Sequence, residues 1–485
     1  MSQVIDHVAL LPGYLAAATV VAVLLADLIA GRRGVTVGVA AIGFLATGAG
    51  AGWLATQPAR QTFCSDGGCS YATSVPGGVI AVTLCGLALA VLALSSALLR
   101  GDGEHRAPAG EYVFLLSCSL AGGIVLAYAR DLITLVVALE TLTLPLYVLV
   151  AMRGENRRSA EAAVNFLLVS VAASTVTLFG AAMLYAATGA VHLTALAASL
   201  SEAVPTVAAV GAAMVIAGLA FKLAAVPLHG WAPGTYDGAP LPIAAYLSTA
   251  SKLGGVAALL WVVTEAFSPI LNLIGPVLLV LAVATMTVGN LVALRQHRTV
   301  RLLAWSSIAQ AGYLLVPLGG YAVVAGRTEV AVAAAATAVL VFALFYVVME
   351  LTAFAAVIRL RGADRDGGSV TDLAGSLRSA PIPSIALLLA VAALAGLPPG
   401  LAGLFAKVTV ISAVAELLPW LAVIVAINAV IGLVYYLRLG VEVVRAGPAA
   451  PTATPWPTTL VLTVATGVVV LVGFAPQLLW NIAAF

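Results

Sequence analysis

The chain has 485 residues, of which 62% are hydrophobic and only 9% charged, with a mean hydropathy of +1.12 and a formal net charge of +2. Water-soluble domains carry about 25% charged residues, so the composition excludes a soluble enzyme, and the small net charge offers nothing for a nucleic acid. Segments of about 20 apolar residues recur from end to end, each long enough to cross a bilayer core of about 30 Å. Lipid cannot satisfy free backbone groups, and the alternation of barrel strands is missing, so an all-α polytopic membrane protein is expected.

The first stretch, "MSQVIDHVALLPGYLAAATVVAVLLADLIAGRR", has no basic leader and a span too long for a signal-peptide core. It reads as a retained first helix. Fourteen transmembrane helices are expected, at 8–31, 35–56, 78–99, 111–129, 131–151, 160–187, 207–229, 240–264, 270–294, 302–320, 330–358, 380–416 with a break, 418–440 and 457–480. Between the second and third spans lies "CSDGGC", where Cys64 and Cys69 sit on the side that permits oxidation, and a disulfide is expected. Cys85 and Cys118 fall inside helices and read as small apolar packers.

Charge placement orients the chain. Of its 22 basic residues, 19 are arginines and three are lysines. Sixteen arginines occupy alternate connections, while the opposite connections hold Arg60, Arg130 and Arg327 alone. By the positive-inside rule both termini then lie outside the cytoplasm. All three lysines, Lys222, Lys252 and Lys407, instead fall inside spans. Each costs about 2.5–3.5 kcal/mol at the membrane centre, so each is a candidate functional residue. Lysine suits a site that gains and loses protons, because arginine stays protonated.

In the fifth span, "LITLVVALETLTLPLYVLV" carries Glu140. Pro145 follows five residues later and removes a backbone donor near it. Glu140 and Lys222 are read as partners on facing broken helices. The seventh span ends in "AVPLHGWAPGTYDGAPLP", holding His229, and its four prolines and three glycines predict an irregular loop. The eleventh span, "LFYVVMELTAFAAVIRL", buries Glu350 nine residues before Arg359. Glu350 is expected either as a protonated residue in a helix interface or between Lys252 and Lys407, where a carboxylate would let both lysines stay charged. The twelfth span breaks at Pro398, Pro399 and Gly400, just before Lys407. Discontinuous helices 7 and 12, each with one lysine, point to two inverted five-helix repeats and to an ion site. The division is 1–110 for three N-terminal helices, 111–265 for helices 4–8, 266–445 for helices 9–13, and 446–485 for helix 14.

No G-x-G-x-x-G, P-loop or C-x-x-C occurs, so no metal, nucleotide or electron carrier is expected in this chain. "FKLAAVPLHGWAPGTYDGAPLPIAAYLSTASKLGG", "RLLAWSSIAQAGYLL" and "GLPPGLAGLFAK" together resemble the antiporter-like membrane subunits of respiratory complex I, over roughly residues 110–445. The ending Tyr236-x-Gly238-Ala239-Pro240 resembles the N-type branch of that family. The resemblance matches Glu140, Lys222, Lys252 and Lys407 to charges of a hydrated polar axis, and His229 to the histidine after the seventh helix. It implies a proton-translocating subunit of NADH-quinone oxidoreductase in a bacterial plasma membrane. Its partners would be the M-type sister subunit and small membrane subunits. NADH, FMN, iron–sulfur clusters and quinone would be bound by other chains. Asn165, Gly234 and Gln310 depart from the family's usual lysine, aspartate and histidine, and the break before Lys407 is one residue longer. A cation/proton antiporter subunit and a non-pumping structural subunit are the competing readings.

Overall fold

The computed structural model describes residues 5–65, 67–100, 107–152, 157–324, 329–363, 365–448 and 455–484. Twelve helices there are long and apolar enough to cross a membrane. They are α1 (Leu11–Ala30), α2 (Arg33–Ala55), α3 (Val75–Leu94), α4 (Ala109–Tyr128), α5 (Leu132–Ala151), α6 (Arg157–Thr188), α8 (Leu241–Ala266), α9 (Leu271–Ala293), α10 (Thr299–Val324), α11 (Glu329–Arg361), α13 (Pro419–Val444) and α14 (Trp456–Phe474). Two more spans are split, into α7a (Thr206–Lys222) with α7b (Trp231–Gly238), and α12a (Pro381–Ala395) with α12b (Leu401–Ala415). Fourteen spans result, in the expected order.

Helices α8, α10 and α11 form the buried centre, whereas α1, α2, α6 and α13 expose much of their surface. Helix α8 winds into π-turns at Leu247–Ser251 and Val262–Ala266. Such turns mark many functional positions, and the first delivers Lys252. Ion pairs gather at both ends of the bundle. Arg298 joins Asp237 at 2.8 Å and Asp366 at 3.0 Å, and Arg361 joins Asp372 at 3.2 Å. At the other end Arg130 meets Glu265 at 2.8 Å and Arg60 meets Asp6 at 3.0 Å.

Two local expectations are corrected, and a third is met. The stretch after His229 is not an irregular loop throughout, because Trp231–Gly238 is helical. Trp231 holds it in place: its ring stacks on Phe166 at 4.6 Å, and its Nε1 donates to the Phe221 carbonyl at 3.1 Å. Helix α5 runs unbroken through Pro145, so only the lysine helix of the Glu140–Lys222 pair is interrupted. The segment around "CSDGGC" is an antiparallel hairpin, β1 (Gln61–Ser65) and β2 (Gly68–Ala72), in which Cys64 and Cys69 face each other and form the expected disulfide.

The break between α12a and α12b is tightly packed. A Cβ on Gly403 would lie 1.5 Å from the Ala393 carbonyl oxygen, and one on Gly400 would lie 2.1 Å from the Ala393 nitrogen. Backbone cannot yield as a flexible side chain does, and overpacking costs about 1–3 kcal/mol or more. Gly403→Ala should therefore lower the amount of stably folded chain in membranes, measured by detergent-extracted protein surviving a thermal ramp. Unchanged thermal survival would show that the two half-helices can separate freely.

Candidate functional site

Lysine 222 closes α7a, and backbone bonds turn the chain away at that point. Ala224 adopts φ +57°, and the Ala225 N–H reaches back to the Ala220 carbonyl at 2.9 Å. This is a left-handed helix stop. The buried ammonium donates to Glu140 Oε1 at 2.9 Å, Thr143 Oγ1 at 3.1 Å and Ser170 Oγ at 3.1 Å. Three donors thus meet three acceptors. Glu140 also accepts from Ser174 Oγ, and Tyr147 donates to Ser170 at 2.6 Å. The Glu140 side chain keeps 21% of its surface exposed against 6% for Lys222, so the carboxylate is the member of the pair open to the exterior.

A second cluster surrounds Lys252. Its ammonium donates to the Ser307 carbonyl at 2.6 Å and to Ser307 Oγ at 2.5 Å. Ser307 Oγ is 2.7 Å from the Tyr346 hydroxyl, which donates to the Ser248 carbonyl at 2.9 Å. Glu350 is fully buried and interacts electrostatically with Lys252, Tyr236, Tyr346 and Tyr436. Neither of its carboxyl oxygens has a hydrogen-bond partner among the described residues.

Lysine 407 has carbonyl oxygens for company. Helix α12a ends at Gly396, φ +81°, whose N–H caps the Ala392 and Ala393 carbonyls. The next two carbonyls, Leu394 and Ala395, accept from Lys407 Nζ at 3.1 and 2.5 Å. A helix C-terminus is the negative end of its dipole, so it favours a cation there. A Cβ on Gly396 would sit 3.3 Å from Lys407 Nζ in a backbone region that side chains disfavour, so glycine makes this socket possible. Gln310 bridges the two clusters: its Nε2 donates to the Leu394 carbonyl at 3.4 Å and to the Tyr436 hydroxyl at 3.3 Å. Tyr436 also bonds Ser306.

Comparison with known proteins follows from this arrangement. The model of the "NADH:quinone oxidoreductase/Mrp antiporter, TM" family matches residues 129–432, which contain Glu140, the three buried lysines, Glu350 and Gln310, with Tyr436 just beyond. A NADH-quinone oxidoreductase subunit N from Salinispora tropica is 52% identical, over 100% of this chain and 99% of that protein. The chain belongs to the NADH-quinone oxidoreductase subunit N family. A subunit N 2 from Streptomyces griseus is 44% identical over 93% of this chain and 85% of its own length. In the structure of respiratory complex I from Thermus thermophilus with bound aureothin, one chain superposes with a TM-score of 0.80 and 28% identity, covering 98% of this chain and 100% of that one. A chain of the Mrp complex from Dietzia has TM-score 0.82 at 21% identity, covering 99% of this chain and 96% of that one, and so shares the fold.

Among the residues that the subunit N resemblance or the spans singled out, the structure brings Glu140 to Lys222 and Glu350 to the neighbourhood of Lys252. Lys407 joins the second group through Gln310. His229 stands apart from the lysines: its ring packs edge-on against Trp305 at 5.2 Å, and its Nδ1 is buried without a partner among the described residues. Asn165 lies on an exposed face of α6, and Gly234 faces open space. Sequence reading missed the hydroxyls of Ser170, Ser174, Ser306, Ser307, Tyr346 and Tyr436. It also missed a buried amide pair in which Asn290 Nδ2 donates to Asn428 Oδ1 at 3.2 Å and Tyr435 donates to Asn290 Oδ1 at 3.0 Å. Serines and tyrosines in apolar helices look like ordinary packers. Two bulky tyrosines in succession at 435–436 were the one visible signal.

Proposed function

We propose that this chain translocates protons as a membrane subunit of NADH-quinone oxidoreductase, driven by electron transfer in partner subunits. The observation that carries this reading is the buried Lys222–Glu140 pair at the interrupted helix, 2.9 Å long and closed by hydroxyl acceptors. A neighbouring carboxylate favours the charged lysine, and weakening that attraction frees a proton. Glu140, on the exposed side of the pair, is where a charge change in an adjacent subunit acts. The proton then has a polar route. It runs from Lys252 by Ser307, Tyr346, Glu350, Tyr436 and Gln310 to Lys407, while Gly255, three residues after Lys252 on α8, packs against the stem of Lys222. Glu350 serves as counter-charge to Lys252, as Glu140 does for Lys222, and water supplies its missing hydrogen bonds. His229 belongs to the access side, beside the α7a–α7b interruption.

The same reading takes 111–265 and 266–445 as two inverted repeats, and places the Arg298–Asp237–Asp366 end of the bundle in the cytoplasm and both termini outside. It gives the chain other complex I membrane subunits as partners, including the M-type neighbour. NADH, FMN, iron–sulfur clusters and quinone are held by those partners and not here. Affinity purification on a tag carried by this chain tests the assignment. NADH:quinone activity should copurify, and membrane vesicles should acidify on NADH. Vesicle acidification that collapses on adding sodium without NADH turnover would instead identify a cation/proton antiporter.

A further inference from the structure

A deep cleft lies away from the lysines, between α2, α3, α11 and α14, and has a volume of about 910 Å³. Its walls are apolar, with Gly86, Val348 and Leu460 among them. Along α14 it runs from Trp456 to Val468, about 18 Å at 1.5 Å per residue. That exceeds one leaflet's share of a core about 30 Å thick. Its mouth holds Arg33 and Arg100, with Trp456 beside them. Arg33 Nη1 is anchored on the Leu99 carbonyl at 2.8 Å, which keeps the rest of the guanidinium at the opening. Among the described residues, neither arginine forms an ion pair with a carboxylate. Asp27 and Glu111 line an adjoining hollow on the other side of Arg33.

Two cations and a tryptophan at the mouth of a deep apolar slot reproduce the layering of one lipid leaflet. Tryptophan settles at headgroup level, and basic pockets between membrane helices take anionic headgroups. We infer that this cleft seats an anionic phospholipid, its headgroup on Arg33 and Arg100 and an acyl chain between α3 and α14. A groove made for a partner's helix would have no need of paired cations at its mouth. The lipid would tie the N-terminal helices to α11 beside Glu350, since Val347 and Leu351 also line the cleft.

The test uses the purified complex containing the full chain and a phosphatidylglycerol with a photoreactive diazirine at its acyl end. Label should map to the deep end of the cleft, residues 82–87 and 464–468. Unlabelled phosphatidylglycerol should compete, and phosphatidylcholine should not. Removing a basic residue near the headgroup weakens such binding about fivefold, so Arg33→Gln with Arg100→Gln should cut labelling about 25-fold. A Cβ on Gly86 meets nothing within 4 Å and Gly86 lines the cleft, so Gly86→Leu projects into the slot and should abolish labelling with the arginines intact. Equal competition by phosphatidylcholine, unchanged labelling in Gly86→Leu, or crosslinks from α14 to a partner's helix in place of lipid would each overturn the inference.

Discussion

Replacing Lys222 by alanine should abolish NADH-driven proton translocation while the complex still assembles. The ammonium serves three acceptors, and without it Glu140 keeps only Ser174 as a partner near a largely buried site. Removing one member of a buried ion pair costs about 3–5 kcal/mol because a bare charge is left behind. That penalty need not unfold the chain, since the partially exposed Glu140 can still be hydrated. Glu140→Ala should give the same result from the other side, and the double variant should be no worse than either single one if the pair acts as a unit. The readouts are dye quenching in membrane vesicles, together with native gels for assembly. Pumping near the normal rate in Lys222→Ala vesicles would remove this lysine from the mechanism. Loss of the assembled complex would make the pair structural.

Glu350→Gln is the second large effect expected. The substitution keeps shape and volume and deletes the negative charge in a site where both carboxyl oxygens lack protein partners. A glutamate that merely fills space would tolerate the change, because glutamine matches its size and carries no charge to desolvate. If Glu350 balances Lys252, pumping should fall about tenfold, the effect of roughly 1.4 kcal/mol on one protonation step, with NADH oxidation by the assembled complex slowed in parallel. Glu350→Asp should retain part of the activity. Full pumping in Glu350→Gln would leave the second cluster without a counter-charge role and would return Glu350 to simple packing.

The spans could be read directly because lipid imposes one solution on the backbone, and twenty apolar residues can only cross as a helix. Both interruptions were visible in Pro227 and in Pro398–Pro399. What followed them was not. "WAPGTYDG" contains glycine and proline and reads as a loop; it is helical because Trp231 is clamped between Phe166 and Phe221. Pro145 gave the opposite error, since a proline that usually ends a helix is carried here by packing around α5. Charged candidates were legible because charge in lipid is expensive. The hydroxyl relay was not, since a membrane serine can equally bond its own preceding turn, as Ser117 does to Val113. Only tertiary placement separates Ser307, facing Lys252, from Ser117.

The α12a carbonyls make Lys407 different in kind from Lys222. Lys222 is measured against a carboxylate, which can itself be neutralised or displaced. Lys407 rests on peptide dipoles of Leu394 and Ala395, which have the same strength at every pH. On the proposed reading, one lysine weighs the proton against a moving counterweight, and the other against a fixed standard. A chain with both holds an adjustable gauge at one end of its polar route and a calibrated one at the other.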